Sequence, residues 1–252
     1  YYTDTVNDYL AQDTMNERQV FDTVHNLSLL QQYVREQGVE FLFTVAPNKN
    51  SLYGEHMPYY LSKKAGTTKN MDKLKQPLTE AGISYVDLFA PFKAQQETLY
   101  LKRDSHWNNK GAALAADGLM DALGKEHDSY EGESYTVRRD YTGDLDTMLY
   151  PLAPTADDEI YYDKETTYAT VEEIQSNFDP RITTVNPVKE GSLVMYRDSF
   201  GNALLPYMAD AYANAYFSRG IPYQLTDVEA HSADTVIIER AERFLPEMSQ
   251  FP

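Results

Sequence analysis

Apolar positions Val20, Val24, Leu27, Leu30 and Val34 recur at helical spacing, so the chain from about Asn16 to Gln37 reads as an amphipathic helix, with Gly38 behind it as a stop signal. The pattern then becomes continuous. Val39-Glu40-Phe41-Leu42-Phe43-Thr44-Val45-Ala46 predicts a buried strand, ended by Pro47-Asn48-Lys49-Asn50. A second helix is expected from Met71 to Ala81, followed by a short strand at Ser84 to Leu88 and a third helix from Lys110 to Leu123. From His127 to Pro187 the chain turns acidic and rich in Tyr, Thr and Asp, with little helical periodicity, which predicts an insertion or lobe. Regular punctuation resumes with a strand at Ser192 to Tyr196, a helix at Asn202 to Arg219, a strand at Thr235 to Ile238 and a terminal segment around Arg240 to Met248. Strands alternating with helices predict an α/β domain whose mainly parallel sheet is covered on both faces. One domain over 1–252, with an insertion or lobe at about 127–187, is the organisation expected.

Charge and composition narrow the function classes. The net charge is −17, and Lys and Arg are scattered, so a phosphate backbone would be repelled and nucleic acid is not an expected partner. The absence of cysteine excludes disulfides, thiolate zinc sites and a cysteine nucleophile, and suits an extracytoplasmic protein. There is no run of eighteen apolar residues and the chain starts at Tyr1; the expectation is a secreted or membrane-anchored protein whose signal or anchor has been removed. The 21 tyrosines suit polar, sugar-binding surfaces as well as cores.

Two segments carry candidate chemistry. Ser199 follows the apolar run Leu193-Val194-Met195-Tyr196 and precedes a helix-compatible stretch, which places it at the carboxyl end of a strand, where open α/β sheets bind ligands. A helix start there would also favour an oxyanion. The same position suits Ser199 or Asp198 as a helix cap. Earlier, Asp104 and His106 are one residue apart on a loop leading into a helix. The imidazole could take the serine proton while the carboxylate fixes its tautomer, or the loop could be a surface one with Asp104 paired to Arg103 or Lys102. No His-x-x-x-His or other paired metal-ligand spacing appears, so neither a metal nor another cofactor is expected.

Several segments resemble the blocks of SGNH hydrolases in rotated order, as in the SGNH-like proteins of alginate O-acetylation and the related DHHW proteins. Phe41 to Pro47 resembles the late strand ending in proline, Tyr85-Val86-Asp87-Leu88 the strand after it, and Asp104 to Gly111 the acid–base block. Arg197-Asp198-Ser199-Phe200-Gly201 resembles the nucleophile block, displaced to follow them, and Gly143-Asp144-Leu145 echoes a short motif between the two. Two departures stand out. Arg197 replaces a glycine, and the acid–base spacing is Asp-x-His, which matches the alginate-type branch; DHHW proteins would carry His where Ser105 stands.

The resemblance implies a three-layer α/β/α fold with blocks in circularly permuted order, with Ser199 as nucleophile, His106 as general base and acid, and Asp104 as orienting carboxylate. It implies an O-acetyltransferase or acetylesterase acting on a polysaccharide or cell-surface glycan through an acetyl-serine, with acetyl supplied by a membrane O-acyltransferase partner. The alternative is a catalytically inactive glycan-binding module. Arg240, at the end of the last strand, could steady developing charge or hold substrate, or form a surface ion pair with little energetic effect. Asn48, Lys49 and Tyr53 would face the same edge and touch substrate or donor, or serve only as polar turn residues.

Overall fold

The computed structural model describes residues 3–250. Nine strands are present among them: β1 (Glu40–Ala46), β2 (Tyr85–Val86), β3 (Tyr135–Tyr141), β4 (Asp157–Tyr162), β5 (Ala169–Thr170), β6 (Arg181–Val185), β7 (Ser192–Tyr196), β8 (Asn214–Ser218) and β9 (Thr235–Ala241). Seven form one sheet in the order β2-β1-β9-β7-β8-β6-β5. The five from β2 to β8 in that order run parallel, and β6 and β5 are added antiparallel at one edge. β3 and β4 pair separately as an antiparallel ribbon.

The apolar runs form central strands because both faces are covered. Side chains alternate across a strand, so Leu42, Met195 and Ile237 face one layer with Leu119, Leu204 and Met208, whereas Phe41, Phe43, Val194, Val236 and Ile238 face the other with Leu27, Val34 and Leu74. The first layer contains the Asn109–Ala122 and Gly201–Ala211 helices, and the second the Glu17–Glu36 and Asn70–Glu80 helices. Three layers therefore form an α/β/α arrangement, with the acid–base block preceding the nucleophile block in the chain.

Local chemistry sets the helix starts. The Asn16 side chain accepts from the Gln19 amide at 2.9 Å while the Gln19 side chain accepts from the Asn16 amide at 2.9 Å, a reciprocal cap at the start of the Glu17–Glu36 helix. Asn108 caps the Asn109–Ala122 helix by accepting from the Gly111 amide at 2.9 Å.

One expectation is corrected. The helix expected over Asn202 to Arg219 ends at Ala211, and β8 takes over from Asn214. Ala215 and Phe217 alternate with Tyr216, two-residue periodicity that a helical reading of an apolar stretch overlooks, and pairing with β7 on one side and β6 on the other enforces it. The 127–187 stretch supplies β3, β4, the short Asp144–Leu149 helix, and the strands β5 and β6 that extend the main sheet.

Candidate active site

Parallel strands present their carboxyl ends on one side of the sheet, and Ser199 sits there, just after β7 and just before the Gly201–Ala211 helix. Its turn is stapled to the neighbouring strand. Asp198 accepts from the Phe200 amide at 3.0 Å through Oδ1 and from the Ala241 amide at 2.7 Å through Oδ2, and its own amide donates to Glu239 Oε2 at 3.0 Å. Burial and the Asp198 charge hold the Glu239 carboxyl well above the usual carboxylate range.

Arg197 occupies the position where a glycine would be expected, and Gly201 supplies the close approach in its place. A Cβ on Gly201 would lie 2.6 Å from the Arg197 Cβ. The buried guanidinium donates to the Asn202 side chain and to the carbonyls of Asn177 and Asp179, at 2.9 and 3.0 Å for the carbonyls. Burial and the Arg219 charge lower its pKa to about 10.

The acid–base loop meets this turn from a helix start rather than a strand. His106 Nε2 lies 2.8 Å from Ser199 Oγ, and His106 Nδ1 lies 2.7 Å from Asp104 Oδ1. The three groups, 93 residues apart at the longest sequence step, form one hydrogen-bonded line. Asp104 Oδ1 also accepts from the His106 amide at 2.8 Å, and Oδ2 accepts from the Asp144 amide at 2.7 Å. Burial opposes the Asp104 charge, but its bonds to His106 and Asp144 prevail and hold the carboxyl below its ordinary range.

Four side chains, Trp107, Phe200, Lys49 and Asp144, fix the loop. Trp107 Nε1 donates to the Phe200 carbonyl at 3.1 Å, and its ring meets Phe200 edge to face at 5.0 Å. Phe200 in turn packs 4.8 Å from the His106 ring. Lys49 Nζ donates to the carbonyls of Leu101, Lys102 and Asp104; burial lowers its pKa against the pull of Asp104, Asp157 and Asp144. Asp144 accepts from the Ser105 amide at 2.8 Å and the Ser105 hydroxyl at 2.6 Å. Gly143 makes that docking possible, because a Cβ there would fall 2.2 Å from the Arg103 carbonyl oxygen.

The other sequence candidates take different positions. The Asn48 side chain donates to Asp8 at 3.1 Å and its amide to Glu242 at 2.8 Å. Tyr53 accepts from the Leu99 amide at 2.9 Å. Arg240, buried at 5% exposure, pairs with Glu247 and lies 5.0 Å over the Phe244 ring. Each of these bonds ties two elements of the fold together. Of the residues that support the loop, Asp144 carries a signal in the sequence, the Gly143-Asp144-Leu145 motif, whereas Trp107 and Phe200 lie inside the two blocks without a functional signal of their own. Ligand-type atoms of Asp104, His106 and Asp144 lie within 4.8 Å of one another, and the hydrogen bonds above engage all three residues.

A permuted SGNH fold with a serine, an imidazole and a carboxylate in line defines the class. The model of the SGNH hydrolase-like domain of the acetyltransferase AlgX matches residues 3–184, a span that contains the acid–base loop and ends before Ser199, and the chain belongs to that family. The probable alginate O-acetylase AlgJ of Pseudomonas syringae pv. tomato is 32% identical over 164 residues, covering 61% of this chain and 40% of that protein, so the chain spans about two fifths of that relative's length. Among solved structures, Bacillus cereus PatB1 with a sulfonyl adduct superposes with a TM-score of 0.71 at 18% identity, covering 94% of each chain. A DHHW family protein from Eubacterium siraeum gives 0.69 at 16% identity over 91% of this chain and 88% of the other.

Proposed function

We propose that this chain is an extracytoplasmic, serine-dependent O-acetyltransferase that modifies a polysaccharide through an acetyl-serine intermediate. The observation that carries the reading is the line from Ser199 Oγ through His106 to Asp104, with steps of 2.8 and 2.7 Å. Family membership and the likeness to a probable alginate O-acetylase support the acetyl and polysaccharide parts of it.

Ser199 Oγ attacks the acetyl carbonyl carbon of a donor ester as its proton passes to His106 Nε2. Asp104, ionised, holds Nδ1 protonated and stabilises the imidazolium. The positive end of the Gly201–Ala211 helix lies beside the serine and favours the oxyanion. Collapse breaks the donor C–O bond, and the leaving oxygen takes the proton from His106, leaving acetyl-Ser199. A glycan hydroxyl then gives its proton to His106 and attacks the acetyl carbon, which releases the acetylated glycan and restores the serine. Water in the same position would give acetate, the outcome of an acetylesterase. Delivery of acetyl by a membrane O-acyltransferase, and a single domain over 1–252 in which the 127–187 segment walls the site, belong to the same proposal. No helix among the described residues is long and apolar enough to cross a membrane.

Intact mass after brief exposure to p-nitrophenyl acetate tests the reading. The expected result is a gain of one acetyl group or ester turnover that disappears in Ser199→Ala. Identical behaviour of the two proteins would remove the serine mechanism and leave a glycan-binding module in its place.

A further inference from the structure

A groove of about 690 Å³ runs between the Asn109–Ala122 helix and the chain from 127 to 135, with Tyr130, Tyr135 and Tyr162 among its lining residues. The rings form a connected set: Tyr130 and Tyr162 have centroids 4.9 Å apart, and Tyr135 and Tyr162 6.2 Å apart. Tyr135 is 43% exposed, and Tyr130 has a buried hydroxyl with no hydrogen-bond partner among the described residues. Carboxylates dominate the remaining charge. Glu97, Asp117, Asp121, Glu131 and Glu133 line the groove against Lys110 and His127, and those two already face Glu97 at 2.5 Å and Asp117 at 3.3 Å.

The protein's own ammonium groups show what this surface accepts. Lys110 Nζ lies 5.5 Å from the Tyr135 ring centroid, and Lys164 Nζ lies 4.8 Å from that of Tyr130 with Glu133 at 3.8 Å. Each pairs a cation with an aromatic face and a carboxylate, an arrangement that favours amines and sugar faces together. A uronate carboxylate brought to the same rim would meet like charge, on a chain whose net charge is −17.

The groove shares a helix with the end of the His106 loop, since Lys110, Ala113, Asp117 and Asp121 of its lining all lie on the Asn109–Ala122 helix. Lys110 stands four residues after His106 in the first turn of the Asn109–Ala122 helix, and that turn is tied to β4 through the Asn109 amide to Glu159 at 3.1 Å and the Asn109 side chain to the Ile160 carbonyl at 2.7 Å.

We propose that this groove seats the acceptor glycan and that the acceptor carries amine-bearing sugars rather than uronic acids. The inference rests on the transferase reading for the word acceptor, but its test is binding alone. Ser199→Ala protein is titrated calorimetrically at pH 6 with a glucosamine hexamer, an N-acetylglucosamine hexamer and a hexauronate. The expected order is glucosamine tightest, by about tenfold over its N-acetylated counterpart, with the uronate weakest and the glucosamine affinity falling as salt is raised. Adding Tyr135→Ala or Glu133→Gln, both exposed positions, should weaken glucosamine binding about three- to tenfold with an unchanged thermal midpoint. Equal affinities, tighter uronate binding, no binding, or groove variants that leave glucosamine affinity intact would overturn the proposal. Failure to form acetyl-serine would instead strike the transferase reading and leave the groove result to stand on its own.

Discussion

The turn bearing Ser199 and the loop bearing His106 meet across a single hydrogen bond, yet they are held by opposite means. The serine turn grows out of the sheet: β7 lies between β8 and β9, and Asp198 ties the turn to the Ala241 amide of β9. Its position is a by-product of the core. Among the described residues the histidine loop pairs with no strand of the sheet: it closes on itself through the Tyr100–Trp107 bridge, and side chains at three remote segments, Lys49, Asp144 and Asp157, tie it down, the last accepting from the Arg103 amide at 2.7 Å. A turn held by the core should resist small insults to function while reporting them as stability, and a loop held by polar ties should do the reverse.

Removing the proposed nucleophile calibrates the scale: Ser199→Ala should reduce acetyl-enzyme formation roughly a thousandfold or more with no change in thermal midpoint. Gly143→Ala comes next, because its Cβ would strike the Arg103 carbonyl. It should displace the loop and lower kcat/KM for an acetyl ester roughly a hundredfold, with a stability loss of about 1–3 kcal/mol. Lys49→Met should lower kcat about tenfold while moving the melting temperature little, since it removes three donors from the loop but keeps the apolar stem. Asp198→Asn should show the opposite balance, losing about 1–3 kcal/mol by denaturant titration because an amide nitrogen then faces a backbone N–H. If Lys49→Met and Asp198→Asn shift activity and stability in the same proportion, the contrast between the two halves fails.

The smallest effect is one of pH. Burial raises the Glu159 carboxyl from 4.5 to about 7. Between those values the folded chain holds a proton that the unfolded chain has released, so this group's contribution is intact at low pH and is lost as pH rises through about 7. Glu159→Gln keeps an acceptor for the Asn109 and Ile160 amides and should flatten the wild-type decline between pH 5 and pH 8, read as melting temperatures at the two values. An identical decline in both proteins would assign the slope to other groups.

The same contrast governs what could be read from the chain. β1, β7 and β9 stand out as apolar runs because they are covered on both faces, and the caps at Asn16 and Asn108 leave local signatures. β8 was hidden within a helix-like stretch, since its character comes from neighbours far along the chain. The hydrogen-bonded line itself was foreshadowed by Asp104, His106 and Ser199 as residue types in a rotated order of blocks. Its supports were only partly legible: Gly143-Asp144-Leu145 stands out as a short motif without a role, and Lys49 reads as a residue facing substrate. Lys49 reaches carbonyls 52 to 55 positions away, and Asp144 reaches Ser105 across 39; no periodicity marks such partners, and lysine and aspartate on loops otherwise read as solvated charge. Asn48, Tyr53 and Arg240 carried the same ambiguity, and the structure gives them bonds to Asp8, Leu99 and Glu247.

The place of β9 has a consequence for how the molecule comes into being. It comes last in chain order among the described strands, yet it lies between β1 and β7, pairing Phe41 with Val236 on one side and Val194 with Val236 on the other. Until residues 235–241 have left the ribosome, β1 and β7 have no shared neighbour, and the two halves of the sheet wait with open, apolar edges. Pairings of such long sequence separation are slow to close. The same insertion that zips the sheet brings the Ala241 amide to Asp198 and fixes the turn that carries Ser199.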